Sequence, residues 1–177
     1  MPKNLSKRFS GFKSLLSREH SIIGVLAIMV GLAAGFGAIG FRYLINFVQS
    51  LSYGSAEDLL DVVGNVPWYL RVIIPAIGGG IVGLLVYVFA REAKGHGVPE
   101  VMEAVALRGG RIRPVVAAVK SLASALSIGT GGSVGREGPI VQIGSTLGST
   151  VGQIFKLSDS RVRSLVACGA AGGVAAT

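Results

Sequence analysis

Gly135-Arg136-Glu137-Gly138-Pro139 governs how this chain reads. It sets two charges between segments that carry none, Ser121 to Gly135 before it and Gly138 to Phe155 after it. Ionisable residues between apolar segments are disfavoured at membrane depth, so where they occur they mark function. Gly135 and Gly138 let the backbone approach a ligand closely. Pro139 suits the first turn of a helix. The helix expected from Ile140 to Ile154 points its first N–H groups back into the loop, which makes an anion site with a carboxylate beside it. A phosphate loop or a dinucleotide loop does not fit. No Lys-Ser/Thr follows the glycines, and no Gly-x-Gly-x-x-Gly occurs at 129–144.

Composition places the stretch in a membrane. Apolar residues make up 50% of the chain and charged residues only 15%, a balance that excludes an ordinary globular domain. The net charge of +8 is not a nucleic-acid footprint, because the basic residues lie between the apolar runs without interleaved aromatics. A membrane-surface origin fits them better. With a single cysteine, Cys168 in a Gly/Ala run, neither an internal disulfide nor a cysteine metal cluster can form. No cofactor is expected.

The organisation follows from the charge-free runs. Residues 1–19 form a basic amphipathic stretch, Lys3, Lys7, Arg8, Lys13 and Arg18 alternating with Leu5, Phe9, Phe12, Leu15 and Leu16. This predicts a helix lying on the cytoplasmic membrane face. Residues 20–177 then form a transmembrane domain. Ser21 to Phe41 offers 21 residues without a charge, enough to span, and its apolar pattern runs on to Val48. A second span, Val72 to Ala90, is introduced by Pro67-Trp68-Tyr69 as an interfacial anchor. The first 20 residues carry five Lys/Arg, the 42–71 connection two and the 91–120 connection six. Positive-inside then puts the N-terminus and the 91–120 segment in the cytoplasm.

Two shorter apolar pieces follow, Ser121–Gly135 and Pro139–Phe155, of 15 and 17 residues. Short segments interrupted by Gly and Pro are the sequence sign of broken helices meeting at a midplane site. Gly31 and Gly35, then Gly144, Gly148 and Gly152, repeat at four-residue spacing, which lets helix backbones approach in lipid. Ser164 to Thr177 is a fifth apolar run, read as a membrane segment in which the sequence stops.

Residues 132–145, Gly-Ser-Val-Gly-Arg-Glu-Gly-Pro-Ile-Val-Gln-Ile-Gly-Ser, resemble the central signature of the CLC family of chloride channels and chloride–proton antiporters. The resemblance implies that this segment faces a bound anion and that Glu137 is the gate, coupled to protons in an antiporter. A second loop, Gly95-His96-Gly97-Val98-Pro99-Glu100, stands where the family carries Gly-Ser-Gly-Ile-Pro, with His96 at the serine position. By itself it reads as a turn into a short helix from Pro99 to about Leu107, with Glu100 and Glu103 suited to the helix start. An imidazole there donates one hydrogen bond, or two when protonated, so anion preference turns on it. Lys120 lies where a family lysine is buried and raises the local positive potential; a lysine snorkelling to the interface is the other reading.

The fold expected is therefore all-α and polytopic, the N-terminal part of a CLC-type inverted repeat with broken or re-entrant helices, a homodimer at full length. The anion would be held by His96, Gly97, Val98, Gly138, Pro139 and Ile140. Glu137 would be its movable mimic, with electrostatic support from Lys120 and Arg136. Partners are chloride or a related anion, protons if exchange occurs, and lipid; nucleic acid is not among them. The competing reading is a membrane-embedded enzyme using Glu137 as an acid–base group on an anionic lipid. It needs a second catalytic group, and only Asp159 is at hand near Glu137.

Overall fold

The computed structural model describes residues 4–54, 64, 66–89 and 97–177, with side chains from residue 21 onward. Six helices and no strand occur among the described residues: α1 (Asn4–Tyr53), α2 (Trp68–Phe89), α3 (Gly97–Leu107), α4 (Pro114–Gly129), α5 (Glu137–Ile154) and α6 (Asp159–Ala175). The all-α expectation holds.

The change from basic-amphipathic to charge-free sequence near residue 20 falls inside one continuous helix, α1. Within the 33 residues of its stretch Ser21–Tyr53 the most apolar 18 have a mean hydropathy of 2.5. At a rise of 1.5 Å per residue those 33 residues reach about 50 Å, more than a bilayer core of about 30 Å needs without tilt. One stripe of α1, Leu26, Val30, Ala34, Ala38, Phe41, Ile45 and Val48, is buried. Spacings of three and four residues put these on one face, turned towards α4, α5 and α6. The opposite face is just as apolar yet exposed, with Met29, Leu32, Phe36 and Phe47 all uncovered. Apolar residues all round a helix are what lipid demands of a span.

The second span carries this further. In α2, Gly78 is the buried residue, while Val72, Ile77, Leu84 and Phe89 stand exposed. With 22 residues, and a mean hydropathy of 2.4 over its most apolar 18, it is long enough to cross a bilayer. It touches the rest of the molecule chiefly through α4 and the turn after it: a Cβ at Gly78 would collide with the Thr130 side chain.

The tightest packing joins α5 and α6. A Cβ at Gly144 would run into the Gly169 carbonyl, one at Gly169 into the Gly144 carbonyl, and one at Gly148 into the Leu165 carbonyl. The backbones are in direct contact, which only glycine at those positions allows. The four-residue glycine repeat thus packs helices, as expected. Gly31 plays the same part in α1, since a Cβ at Gly172 would lie 2.7 Å from its Cα.

The two short apolar helices differ in extent from the sequence reading. The first is α4, which begins at Pro114 and ends at Gly129; the second, α5, begins at Glu137. Lys120 consequently lies inside α4 and not at its edge. Counting uncharged residues placed the boundary at the lysine, but a buried charge that has an ion-pair partner does not end a helix. At 16 and 18 residues, α4 and α5 measure about 24 and 27 Å, below the thickness of the hydrocarbon core.

Candidate functional site

Between α4 and α5 the chain turns through residues 130–136. Gly131 takes φ +92°, a left-handed conformation that disfavours any side chain, and a Cβ there would sit 2.8 Å from the Tyr53 hydroxyl oxygen. Tyr53 O–H donates to the Thr130 carbonyl at 3.0 Å, while Thr130 O–H donates back to the Leu126 carbonyl at 2.8 Å. The Gly132 N–H donates to the Ser127 carbonyl at 2.8 Å. The turn is therefore pinned at its start to the end of α1. Its far end, Val134 to Glu137, is exposed.

Arg136 occupies the N-cap of α5 and supplies no side-chain cap. Glu137, Gly138 and Pro139 make up the first turn. Pro139 has no N–H, and the Ile140 N–H donates to the Arg136 carbonyl at 3.3 Å. Of the donors expected from Gly138 to Ile140, the Gly138 N–H is the one left over, joined by that of Glu137. Pro139 and Ile140 contribute shape: Ile140 is 2% exposed and packs with Ala38, Phe41, Ile45 and Ala125.

The start of α3 meets the start of α5. A Cβ at Gly97 would lie 3.0 Å from the Gly138 carbonyl oxygen and 3.3 Å from Gln142 Oε1. Beside this junction opens a cavity of about 450 Å³, lined among others by Gly97, Val98, Lys120, Ser127, Gly138 and Pro139. The first-turn N–H groups of a helix lack intrahelical partners and carry its positive dipole end. Two such ends converge here. Four of the residues expected to bind the anion, Gly97, Val98, Gly138 and Pro139, are thus brought together; His96 lies outside the described residues.

Lys120 is 7% exposed and forms an ion pair with Glu100. It does not snorkel. The partner was not foreseen, because Glu100 read as an ordinary first-turn acid 20 residues away; α3 and α4 must fold together before the two meet. Pairing cancels most of the full charge while leaving the lysine at the cavity wall.

Arg136 and Glu137 line a different space. Both are exposed and border a cavity of about 710 Å³ on the α1 side of α5, with Ala38, Arg42, Asn46 and Ile140. The structure therefore does not put the carboxylate residue in the same cavity as the glycines. The start of α5 divides the two spaces. Gln142, to which the sequence reading gave no role, is 1% exposed and lies four residues after Gly138 on the same helical face.

Comparison with known proteins places this geometry. A model of the voltage gated chloride channel family matches residues 78–177, which include α3, the Lys120–Glu100 pair, the lining of the cavity at the α3–α5 junction and the turn between α4 and α5. The chain belongs to the voltage-gated chloride channel family. It is 40% identical over 172 residues to the H(+)/Cl(-) exchange transporter ClcA of Vibrio parahaemolyticus, covering 93% of this chain and 35% of that protein. Against the ClcA of Vibrio vulnificus identity is 39% over 185 residues, 99% of this chain and 37% of the relative. The ClcA of Klebsiella pneumoniae is 34% identical over 177 residues, 96% and 36% respectively. The chain spans about a third of the length of these curated relatives. Membership in this family, with two helices long and apolar enough to cross a membrane, makes the protein an integral multi-pass membrane protein of a transport family.

Proposed function

We propose that the protein moves chloride or a similar small anion across the membrane, as a channel or an anion–proton antiporter. The observation that carries this is the convergence of two helix starts, at Gly97 and Gly138, on one cavity. Backbone N–H groups replace part of the hydration shell of an anion without setting a trapping full charge against it. The anion would sit at the α3–α5 junction, held by Gly97, Val98 and Gly138 and by His96 just before them, with Pro139 shaping the wall and Ile140 seating the start of α5 from the other side. The relatives' names, which specify H(+)/Cl(-) exchange, support the same reading.

Glu137 borders the α1-side cavity at the same helix start and is the gating group in this scheme. Ionised, its carboxylate competes with the anion for the positive end of α5; protonated, it withdraws and the path opens. Arg136 beside it and Lys120 across α5 keep the local potential positive. Glu137→Gln in the full-length protein should abolish proton coupling while keeping or raising anion flux in reconstituted vesicles. In a passive channel it should instead remove pH-dependent closure. Unchanged flux together with unchanged pH dependence would reject the gate.

The proposed orientation has the N-terminus and the 91–120 segment in the cytoplasm, with homodimers at full length. In a Cys168→Ala background, Gly64→Cys should react with an impermeant thiol reagent from outside, and Arg108→Cys only after permeabilisation. The reverse pattern contradicts it.

A further inference from the structure

Gln142 lies in α5 one turn past the glycine that meets α3, and it is 1% exposed. Neither its Nε2 nor its Oε1 has a hydrogen-bond partner. A buried carboxamide with both ends unmade is disfavoured, and native interiors rarely leave one so without a ligand or water to complete it. The position is specific. Gln142 lines the cavity that holds the starts of α3 and α5, and it also lines the neighbouring cavity of about 500 Å³ that contains Glu100, Arg108 and Arg113. It is thus a wall between the two. Its Oε1 lies 3.3 Å from where a Cβ at Gly97 would be, which sets the carboxamide against the first residue of α3.

Helical side chains lean back towards the helix N-terminus, so a long residue at this place reaches towards the N–H of Gly138, four residues earlier. Half a turn of the carboxamide about its last bond exchanges Oε1 and Nε2 without breaking any hydrogen bond, because neither atom makes one. Two helix starts offer backbone donors to the cavity, and the carboxamide can add a side-chain donor between them. A cation is the wrong guest here, because both helix dipole ends are positive towards the cavity.

We propose that Gln142 is a side-chain ligand of the transported anion, its Nε2 donating to an anion held at the α3–α5 junction, and that it helps set the preference for small anions. This rests on the anion-site reading given above. A directed N–H donor favours a small, strongly hydrated anion such as chloride over a large, weakly hydrated one such as thiocyanate. The remaining oxygen faces the charged neighbouring cavity, where water or an arginine N–H can complete it.

The test uses the full-length protein, with chloride binding measured by calorimetry in detergent. Gln142→Met keeps length and apolar bulk but removes the donor. Hydrogen bonds to charged groups are worth enough that chloride affinity should fall about tenfold to a hundredfold. Thiocyanate affinity should fall less. Gln142→His, which keeps a donor, should restore most of the loss. A folded Gln142→Met protein with unaltered chloride affinity overturns the proposal. Should that variant not fold, wild-type crystals soaked in bromide decide instead. An anomalous peak in the cavity within hydrogen-bonding reach of the Gln142 carboxamide supports it. A peak at the helix starts but out of that reach rejects the role of Gln142 and leaves the anion site standing. No peak in the cavity, with no chloride binding by wild type, rejects both.

Discussion

The cavity on the α1 side of α5 is bordered by residues that carry exposed charge, Arg42, Arg136 and Glu137. The cavity on the α3 side is bordered by glycine, proline, serine and valine, and its one charge, Lys120, is buried and paired with Glu100. Both lie within a few residues of the same helix start. The difference separates two ways of handling an anion. Exposed side chains attract at a distance and are screened by salt. Helix ends and a buried amide act only at contact, in a medium of lower dielectric, and are screened far less.

The largest effect that would sharpen this contrast lies at the buried pair. Lys120→Met leaves the partly exposed Glu100 without its partner, and breaking a pair with one buried member costs up to about 3 kcal/mol. The thermal midpoint of the full-length protein in detergent should fall by several degrees, and Lys120→Met with Glu100→Gln should recover most of it. If the single variant is as stable as wild type, the pair is not holding α3 against α4.

A smaller effect is expected from filling the junction. Gly97→Val would place a branched side chain against the Gly138 carbonyl and Gln142, where even a Cβ is tight at 3.0 Å. Overpacking of this kind costs about 1–3 kcal/mol. Chloride flux in vesicles should fall about tenfold, independently of ionic strength. Flux that is undiminished would mean anions do not pass the α3–α5 junction.

The smallest effect belongs to the exposed cations. Arg42→Ala and Arg136→Ala should each lower flux by about twofold to threefold at low salt, with little difference remaining above about 0.3 M, where the Debye length is short. Stability should hardly change, because exposed charges contribute little. A salt-independent loss at either position would break the distinction between the two cavities.

The comparison also shows what could be read early. The loop at 135–139 was visible because a Gly-Arg-Glu-Gly-Pro string between charge-free segments has few other uses in a membrane. The spans were visible for the same kind of reason: Ser21–Phe41 and Val72–Ala90 carry no charge, and composition reports that directly. The glycine repeat in α5 was visible as spacing, and it does seat that helix against α6. The start of α4 was not visible, because Lys120 looked like a boundary until Glu100 was seen beside it. Gln142 was not visible either. A glutamine in an apolar run carries no sign of whether its amide faces lipid, a neighbouring helix or a cavity.

Sequence by itself determined the elements and their medium: seven segments of helical pattern, the first two of them joined in α1, two spans for lipid, glycines at the spacing that lets backbones touch, and one charged loop. These are properties of single segments, fixed by local periodicity and by transfer free energy. Tertiary structure alone decided the pairings. Gly97 meets Gly138 across 41 positions of chain, Glu100 meets Lys120 from another helix, and Glu137 falls on the far side of α5 from the glycines it was grouped with. Such facts depend on which faces of two helices come together, and a residue's neighbours along the chain do not encode its neighbours across a cavity.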